Sequence, residues 1–174
     1  MSELIVTRHG RVLQLTLNRP AARNALNNAL LLQIAEQLEA AAADAEIAVC
    51  VISGNERCFA AGADLNEMAE KDLPATLNDI RPQLWARINA FTKPMIAAVN
   101  GFALGAGCAQ RLIRSVGKSL ASKMVLTGES ITAVQAHSAG LVSDVYPASL
   151  TLEYALKQAA LMARHSPLAL QAAK

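Results

Sequence analysis

Aromatic residues are scarce: one tryptophan, two tyrosines and three phenylalanines make up 3% of the 174 residues. That argues against an aromatic-rich β-sandwich, while the 53% hydrophobic content, much of it alanine, favours closely packed helices. Charge imbalance is also small, a net +2, which gives no case for nucleic acid or a membrane surface as partner. Cys50, Cys58 and Cys108 are odd in number and lack CxxC spacing, so neither a disulfide framework nor a zinc site is indicated. Cys50, inside an apolar run, reads as a small core residue. No apolar run approaches a membrane span. Met1–Arg8 carries Glu3 and leads into strand-like sequence rather than a signal peptide. The expectation is a soluble cytoplasmic protein, a single domain by length, burying roughly two-thirds of its unfolded surface.

Two stretches stand out against this background. Met95–Val99, introduced by Pro94, is a short apolar run that suits a buried parallel strand. Asn100-Gly101 ends it, and Gly105-Ala106-Gly107 then lets the backbone come close to a neighbour or a ligand. A helix beginning at such a turn leaves N–H groups unpartnered, with partial positive charge. An isolated Gly-x-Gly is more often only a tight turn. The second stretch, Phe59-Ala60-Ala61-Gly62-Ala63-Asp64-Leu65, follows the apolar run Ile47–Ser53. Its side chains from 60 to 63 are small, so backbone is the exposed chemistry, and Asp64 is placed to cap a helix from Leu65. Two strand-to-turn junctions with bare N–H groups can supply the two donors of an oxyanion hole.

In chain order, Glu3–Val6 and Arg11–Leu17 read as strands joined by a turn at His9-Gly10, with Leu13, Leu15 and Leu17 forming one apolar face. Asn18–Asn27 is a loop containing Pro20, and 28–44 has helical spacing at Leu31, Ile34, Leu38 and Ala41, capped by Asn27 or Asn28. Ile47–Ser53 is strand, Leu65–Glu70 a short helix, and the part around Lys71, Asp72 and Pro74 looks mobile. Thr76–Phe91 reads as helix and Met95–Asn100 as strand. Helices follow over Lys118–Leu126 and Thr132–Ala139, each ended by a glycine, then a strand at Leu141–Tyr146 and a helix at Leu150–Arg164. Pro167 opens a last helix. Alternating strands and helices imply an α/β fold with crossover units and functional turns at strand carboxyl ends.

Taken together, several pieces resemble the crotonase, or enoyl-CoA hydratase/isomerase, superfamily. They are Asn18-Arg19-Pro20, Asn24-Ala25-Leu26, Phe59–Leu65, Lys93-Pro94, Ala97–Gly101, Gly105–Cys108, Gln110-Arg111-Leu112 and Ala139–Val142. Each is weak alone, the ordered set is specific, and it covers nearly the whole chain. The wording around Met68–Trp85 and Arg111–Gly128 is most similar to the bacterial branch that hydrates 2,3-dehydroadipyl-CoA in phenylacetate breakdown. The resemblance implies a spiral of strand-strand-helix units with a C-terminal helical region, incomplete here because no C-terminal helices follow Lys174. It implies an acyl-CoA substrate whose coenzyme A needs no further cofactor or metal. A homo-oligomer, trimer or dimer of trimers, is implied, with a paralogous isomerase as a further partner; no nucleic acid or membrane is.

By the same resemblance the N–H groups of Ala63 and Ala106 are the oxyanion donors. Ala61, Gly62, Asp64 and Leu65 line the place where the adenine end of CoA folds back, and Arg23 lies near phosphate, although a solvated loop charge explains Arg23 equally well. The expected chemistry is syn-type addition of water across a 2,3-enoyl-CoA to give a 3-hydroxyacyl-CoA, which needs acid and base carboxylates. In the family's hydratases one glutamate follows the Gly-x-Gly-Cys turn directly and a second lies downstream, before Gln-Arg-Leu. Here Cys108 is followed by Ala109 and then Gln110-Arg111-Leu112. A block of roughly thirty residues, about one crossover unit, is missing between Cys108 and Gln110, and both glutamates with it. Either the sequence joins residues across a disordered segment and stops at a disordered tail, or the deletion is real and hydration is lost. The first is preferred, because a real deletion removes a core strand and leaves the helices from Gln110 onward docked on nothing.

Without that pair, an isomerase using one carboxylate and an inactive acyl-CoA-binding or scaffold subunit are the alternatives. The remaining carboxylates do not replace the glutamates. Glu67 and Glu70 read as a solvated helix face, Glu129 as a cap or loop charge, and Asp64 as the helix cap. His9, His137 and His165 have no nucleophile and carboxylate beside them in sequence and read as structural or surface residues. Cys108 at a helix start could have a lowered thiol pKa, but packing explains it better.

Overall fold

In a computed structural model, which describes residues 2–69, 78–105 and 109–173, the chain opens with an antiparallel hairpin. β1 (Leu4–His9) pairs with β2 (Val12–Leu17), Leu4 opposite Leu17 and His9 opposite Val12. β1 runs three residues past its expected end. The turn therefore falls on Gly10-Arg11, with Gly10 in the left-handed region that glycine adopts freely. Period-two alternation puts Leu13, Leu15 and Leu17 on one face and Val12, Gln14 and Thr16 on the other.

A turn of 3-10 helix (Pro20–Ala22) leads to α1 (Asn28–Ala43). Asn27 caps α1, its side chain accepting the Leu30 N–H at 2.8 Å. β3 (Val49–Ser53) then pairs in parallel with β2, Leu15 opposite Ile52. β4 (Cys58–Ala60) and α2 (Leu65–Ala69) follow. α3 (Arg81–Asn89) is shorter than the helix expected from Thr76. Residues 78–80 are turn, and Pro82 fixes the boundary because it fits the first turn of a helix but not its interior. β5 (Met95–Ala98) pairs in parallel with β3, giving the order β1-β2-β3-β5. As the last strand it is only half-covered, with Met95 exposed, which corrects the buried strand expected there. β6 (Phe102–Ala103) pairs with β4 in a separate two-stranded sheet that periodicity did not indicate. Gly101 makes this sheet possible: its φ is +61, and a methyl group there would run into the Arg57 carbonyl.

Residues 105–147 form a compact unit of their own. It contains α4 (Ala109–Val116), α5 (Lys118–Thr127), ended by Gly128, and α6 (Ala133–Ser138). Thr132 and Gln135 close a capping box on α6: Gln135 N–H donates to Thr132 Oγ1 at 3.2 Å and Thr132 N–H to Gln135 Oε1 at 2.9 Å. The expected strand at Leu141–Tyr146 is not one. A strand needs a partner for its N–H and C=O groups, and none pairs with it among the described residues.

The remaining residues make the other unit, in which helices pack on both faces of the central strands β2 and β3. Leu13, Leu15, Leu17 and Cys50 pack with Leu30, Leu31, Ile34 and Leu38 of α1 and with Leu84 and Ile88 of α3. On the opposite face, Ala155 and Ala159 of α7 (Ala148–Met162), with Ala163 beyond it, pack with Val12, Val49, Val51 and Ala98. Alanine brings that helix close to the strands, which is where much of the hydrophobic composition is used. α8 (Pro167–Ala173) ends the described chain. Two cations close helix ends: Lys93 Nζ donates to the carbonyls of Ala41 and Asp44, each at 2.6 Å, and Arg11 Nη1 to that of Ala163 at 2.9 Å. No described helix is long and apolar enough to cross a membrane.

Candidate active site

After β3 the chain turns at Gly54-Asn55, where the Asn55 side-chain oxygen accepts the N–H of Arg57 at 3.0 Å and of Cys58 at 2.9 Å. β4 then ends at Ala60, and the small residues Ala60–Ala63 run alongside the loop between β2 and α1. Arg23 and Asn24 of that loop are both left-handed, with φ of 50 and 54, a region that asparagine enters more readily than most residues. Asn24 is fully buried. Its Nδ2 donates to the carbonyls of Cys58 at 3.0 Å and Phe59 at 3.2 Å, while its Oδ1 accepts the Arg19 N–H at 2.9 Å. The Ala61 N–H reaches the Arg23 carbonyl at 3.0 Å.

Leu26 forms a parallel bridge with Ala63. Its N–H donates to the Gly62 carbonyl at 2.8 Å and its carbonyl accepts the Asp64 N–H at 3.1 Å. In a parallel pair the residue between those two bonds turns its own N–H and C=O to the opposite side. Ala63 is that residue, and among the described residues its N–H has no partner. Gly62, at φ 94, provides a bend that residues with a side chain rarely adopt. An unpaired N–H fixed on both sides is suited to stabilising negative charge on an incoming oxygen.

Asp64 accepts the Asn66 N–H at 3.1 Å through Oδ1, so it caps α2 as its position suggested. Its Oδ2 receives Arg19 Nη1 at 2.9 Å, while Arg19 Nε meets Glu3 Oε1 at 2.9 Å. Arg19 Nη1 also donates to the Ala25 carbonyl. The Arg19 hydrogen bond holds the Asp64 carboxyl below its ordinary range, against the opposing effect of burial. From α3, Arg81 Nη1 donates to the Leu26 carbonyl at 2.8 Å and lies 3.7 Å from Glu67 Oε2. Glu67 also accepts the Asn28 N–H at 2.9 Å. Glu67 is therefore a bonded strut, not the solvated face expected from its spacing.

Ala61, Gly62, Ala63 and Asp64 thus sit together with the backbone of Arg23. The Arg23 side chain and Leu65 are exposed. Ala106, Gly107 and Cys108, like Glu70 and the stretch around Pro74, lie outside the described residues. Glu129 is exposed in the 105–147 unit and pairs with Lys123 at 3.0 Å. Those two residues help line a cavity of ≈ 390 Å³ between α5 and α6, whose described lining does not include Ala63. Burial raises the Cys58 thiol pKa, and the thiol donates to the Arg23 carbonyl at 3.1 Å; it is a packing group. Sequence reasoning overlooked Arg81. Its one signal was a cation in the first turn of a helix, where the dipole disfavours it, a local conflict that points to a tertiary partner.

A family model described as enoyl-CoA hydratase/isomerase matches residues 7–109 and 107–174. The chain is 68% identical over 206 aligned positions to the 2,3-dehydroadipyl-CoA hydratase of Escherichia coli (strain K12), covering 100% of this chain and 81% of that protein. It is 38% identical over 197 positions to a probable mitochondrial enoyl-CoA hydratase of Dictyostelium discoideum, covering 95% and 71%. Among solved structures, the enoyl-CoA hydratase from Bacillus anthracis superposes with a TM-score of 0.90 at 27% identity, covering 99% of this chain and 81% of that one. A backbone donor at a small-residue bend, a mixed sheet between helices, and these matches along the whole chain lead to one assignment: it belongs to the enoyl-CoA hydratase/isomerase family and has the crotonase fold.

Proposed function

We propose that the protein is an enoyl-CoA hydratase, adding the hydroxyl of water to C3 and a proton to C2 of a 2,3-enoyl-CoA to give the 3-hydroxyacyl-CoA. The 68% identity to a 2,3-dehydroadipyl-CoA hydratase carries this reading and makes that dicarboxylic thioester, in phenylacetate catabolism, the proposed substrate. The geometry at Ala63 supports it. As the thioester carbonyl becomes an enolate, its oxygen takes up negative charge, and a backbone N–H already fixed in place meets that charge without reorganising. Ala106 is the proposed second donor. Arg23, with its guanidinium exposed and its carbonyl pinned by Ala61, is proposed to reach a CoA phosphate. Coenzyme A enters and leaves with the acyl group, so no separate cofactor takes part. A cytoplasmic homo-oligomer is proposed, a trimer or dimer of trimers, to be read by light scattering on the purified protein.

The acid and base glutamates belong to the segment between Cys108 and Gln110. Two facts support a gap there: the alignment to the E. coli relative spans 206 positions against this chain's 174 residues, and the family match divides at 107–109. Intact mass and hydration together test the proposal. A chain heavier than 18.4 kDa that consumes crotonyl-CoA and 2,3-dehydroadipyl-CoA, seen as loss of enoyl absorbance, is the expected result. A heavier, folded chain that hydrates neither overturns it. A chain of 18.4 kDa that binds acyl-CoA without turnover identifies a non-catalytic subunit instead.

A further inference from the structure

We propose that Arg19 and Arg81 are positioning residues that clip the Leu26–Ala63 bridge in place and so fix the direction of the Ala63 N–H. The proposal rests on the oxyanion role of Ala63 given above. One nitrogen of Arg19, Nη1, bonds the Ala25 carbonyl and the Asp64 carboxylate, the residues that directly flank the two members of the bridge. One nitrogen of Arg81 bonds the Leu26 carbonyl at 2.8 Å, the same oxygen that accepts the Asp64 N–H at 3.1 Å. Both guanidinium groups are nearly buried, with side-chain exposures of 16% and 10%.

The bridge alone is a weak support. It is a single isolated pair outside any named strand, with a left-handed glycine before it and a five-residue helix after it. Two backbone bonds fix where Ala63 lies, but they leave the peptide plane able to tilt about them. Arg19 couples Asp64 to Ala25 and to Glu3 of the approach to β1. Arg81 couples Leu26 to α3, and Glu67 returns that contact to the Asn28 N–H at the start of α1. The bend is thereby tied to three other elements. Arginine suits this task because its rigid fork satisfies several acceptors in one plane, whereas lysine delivers a point charge on a flexible stem. Lysine at either position keeps the charge and loses the clip, which separates positioning from simple electrostatics.

The probe is acetoacetyl-CoA, whose enolate has its own ultraviolet band; a donor aimed at the thioester oxygen raises the enolate fraction of the bound ligand. The unmodified protein is expected to bind the enolate. Arg19→Lys and Arg81→Lys are each expected to lower the bound enolate-to-ketone ratio on the order of tenfold or more, since losing a donor outright costs about 100-fold or more. Affinity for free CoA, which has no acyl carbonyl, stays unchanged. Lys93→Met, which removes a buried cation at the end of α1, is expected to lower thermal stability and leave the ratio as it was. An unchanged ratio in folded lysine variants overturns the clip while leaving the oxyanion role of Ala63 standing. Absence of enolate in the unmodified protein overturns the role itself, and the clip with it. Should Arg19→Lys not fold, Asp64→Asn, which still caps α2 but carries no charge for Arg19, is measured in its place with the same expected fall.

Discussion

Asp64 is a buried carboxylate with two tasks, and its ionisation couples the bend to pH. The Arg19 hydrogen bond is the largest cause of its lowered pKa, with the Asn66 N–H acting in the same sense and burial opposing both. An unfolded aspartate titrates near pH ~3.9. Because the folded value lies below that, the group adds stability above pH ~4 and loses it as pH falls through the folded pKa. Denaturant midpoints of the parent and Asp64→Asn should therefore differ most near neutrality and converge on acidification below pH ~4. A difference independent of pH would show that the charge is irrelevant. The exposed pair of Arg87 with Glu39 also shifts with pH, but it is common to both proteins and cancels. At this scale the sequence was partly legible. Asp64 as a cap and Cys50 as core follow from local pattern, whereas the bonds of Glu67 and Arg81 depend on residues some 39 and 55 positions away.

Among elements, the pair α1 and α3 decides how firmly the clip is seated, because Arg81 is carried by α3. Leu84 is the most deeply buried side chain of that helix, 1% exposed within the main core. Leu84→Ala is expected to cost about 3 kcal/mol of stability, the usual range for a buried leucine truncated to alanine, measured by urea unfolding; a loss below about 1 kcal/mol would mean that α3 is not packed as described. Helices with a clear cap or stop signal were readable, α1 with its asparagine cap and α6 with the glycine that follows it among them, whereas the capping box of α6 came from the structure. The short strands were not. β4 has three residues and β6 two, too few for any alternation to register, and both exist because Gly101 lets two backbones approach. The stretch Leu141–Tyr146 shows the converse: β-like sequence forms no strand without an edge to join.

For the whole molecule, burial is distributed unevenly. One unit holds both core clusters, on either side of the sheet. In the other, only Ala121 and Ala136 are buried among the described residues, while Leu126, at 84% exposure, and Val134 face outward. Helices with so little covered apolar surface open locally at low cost. In a chain of 18.4 kDa, without the crossover unit between Cys108 and Gln110, hydrogen exchange followed by mass spectrometry should show amides of β2, β3 and α1 protected up to global unfolding and those of α4–α6 exchanging far faster. Uniform protection would refute this. The same imbalance is what the missing crossover unit would produce, since its strand is the surface on which the helices from Gln110 onward were expected to dock.

The sequence by itself determined the family, the helix boundaries with caps or glycines, and the small-residue bend at Ala63, because each is written in residue identity and spacing over a few positions. Tertiary structure alone decided which N–H at that bend stays unpaired. That outcome depends on Leu26 arriving from a distant loop and on two arginines whose partners are backbone oxygens, which no side-chain pattern reveals.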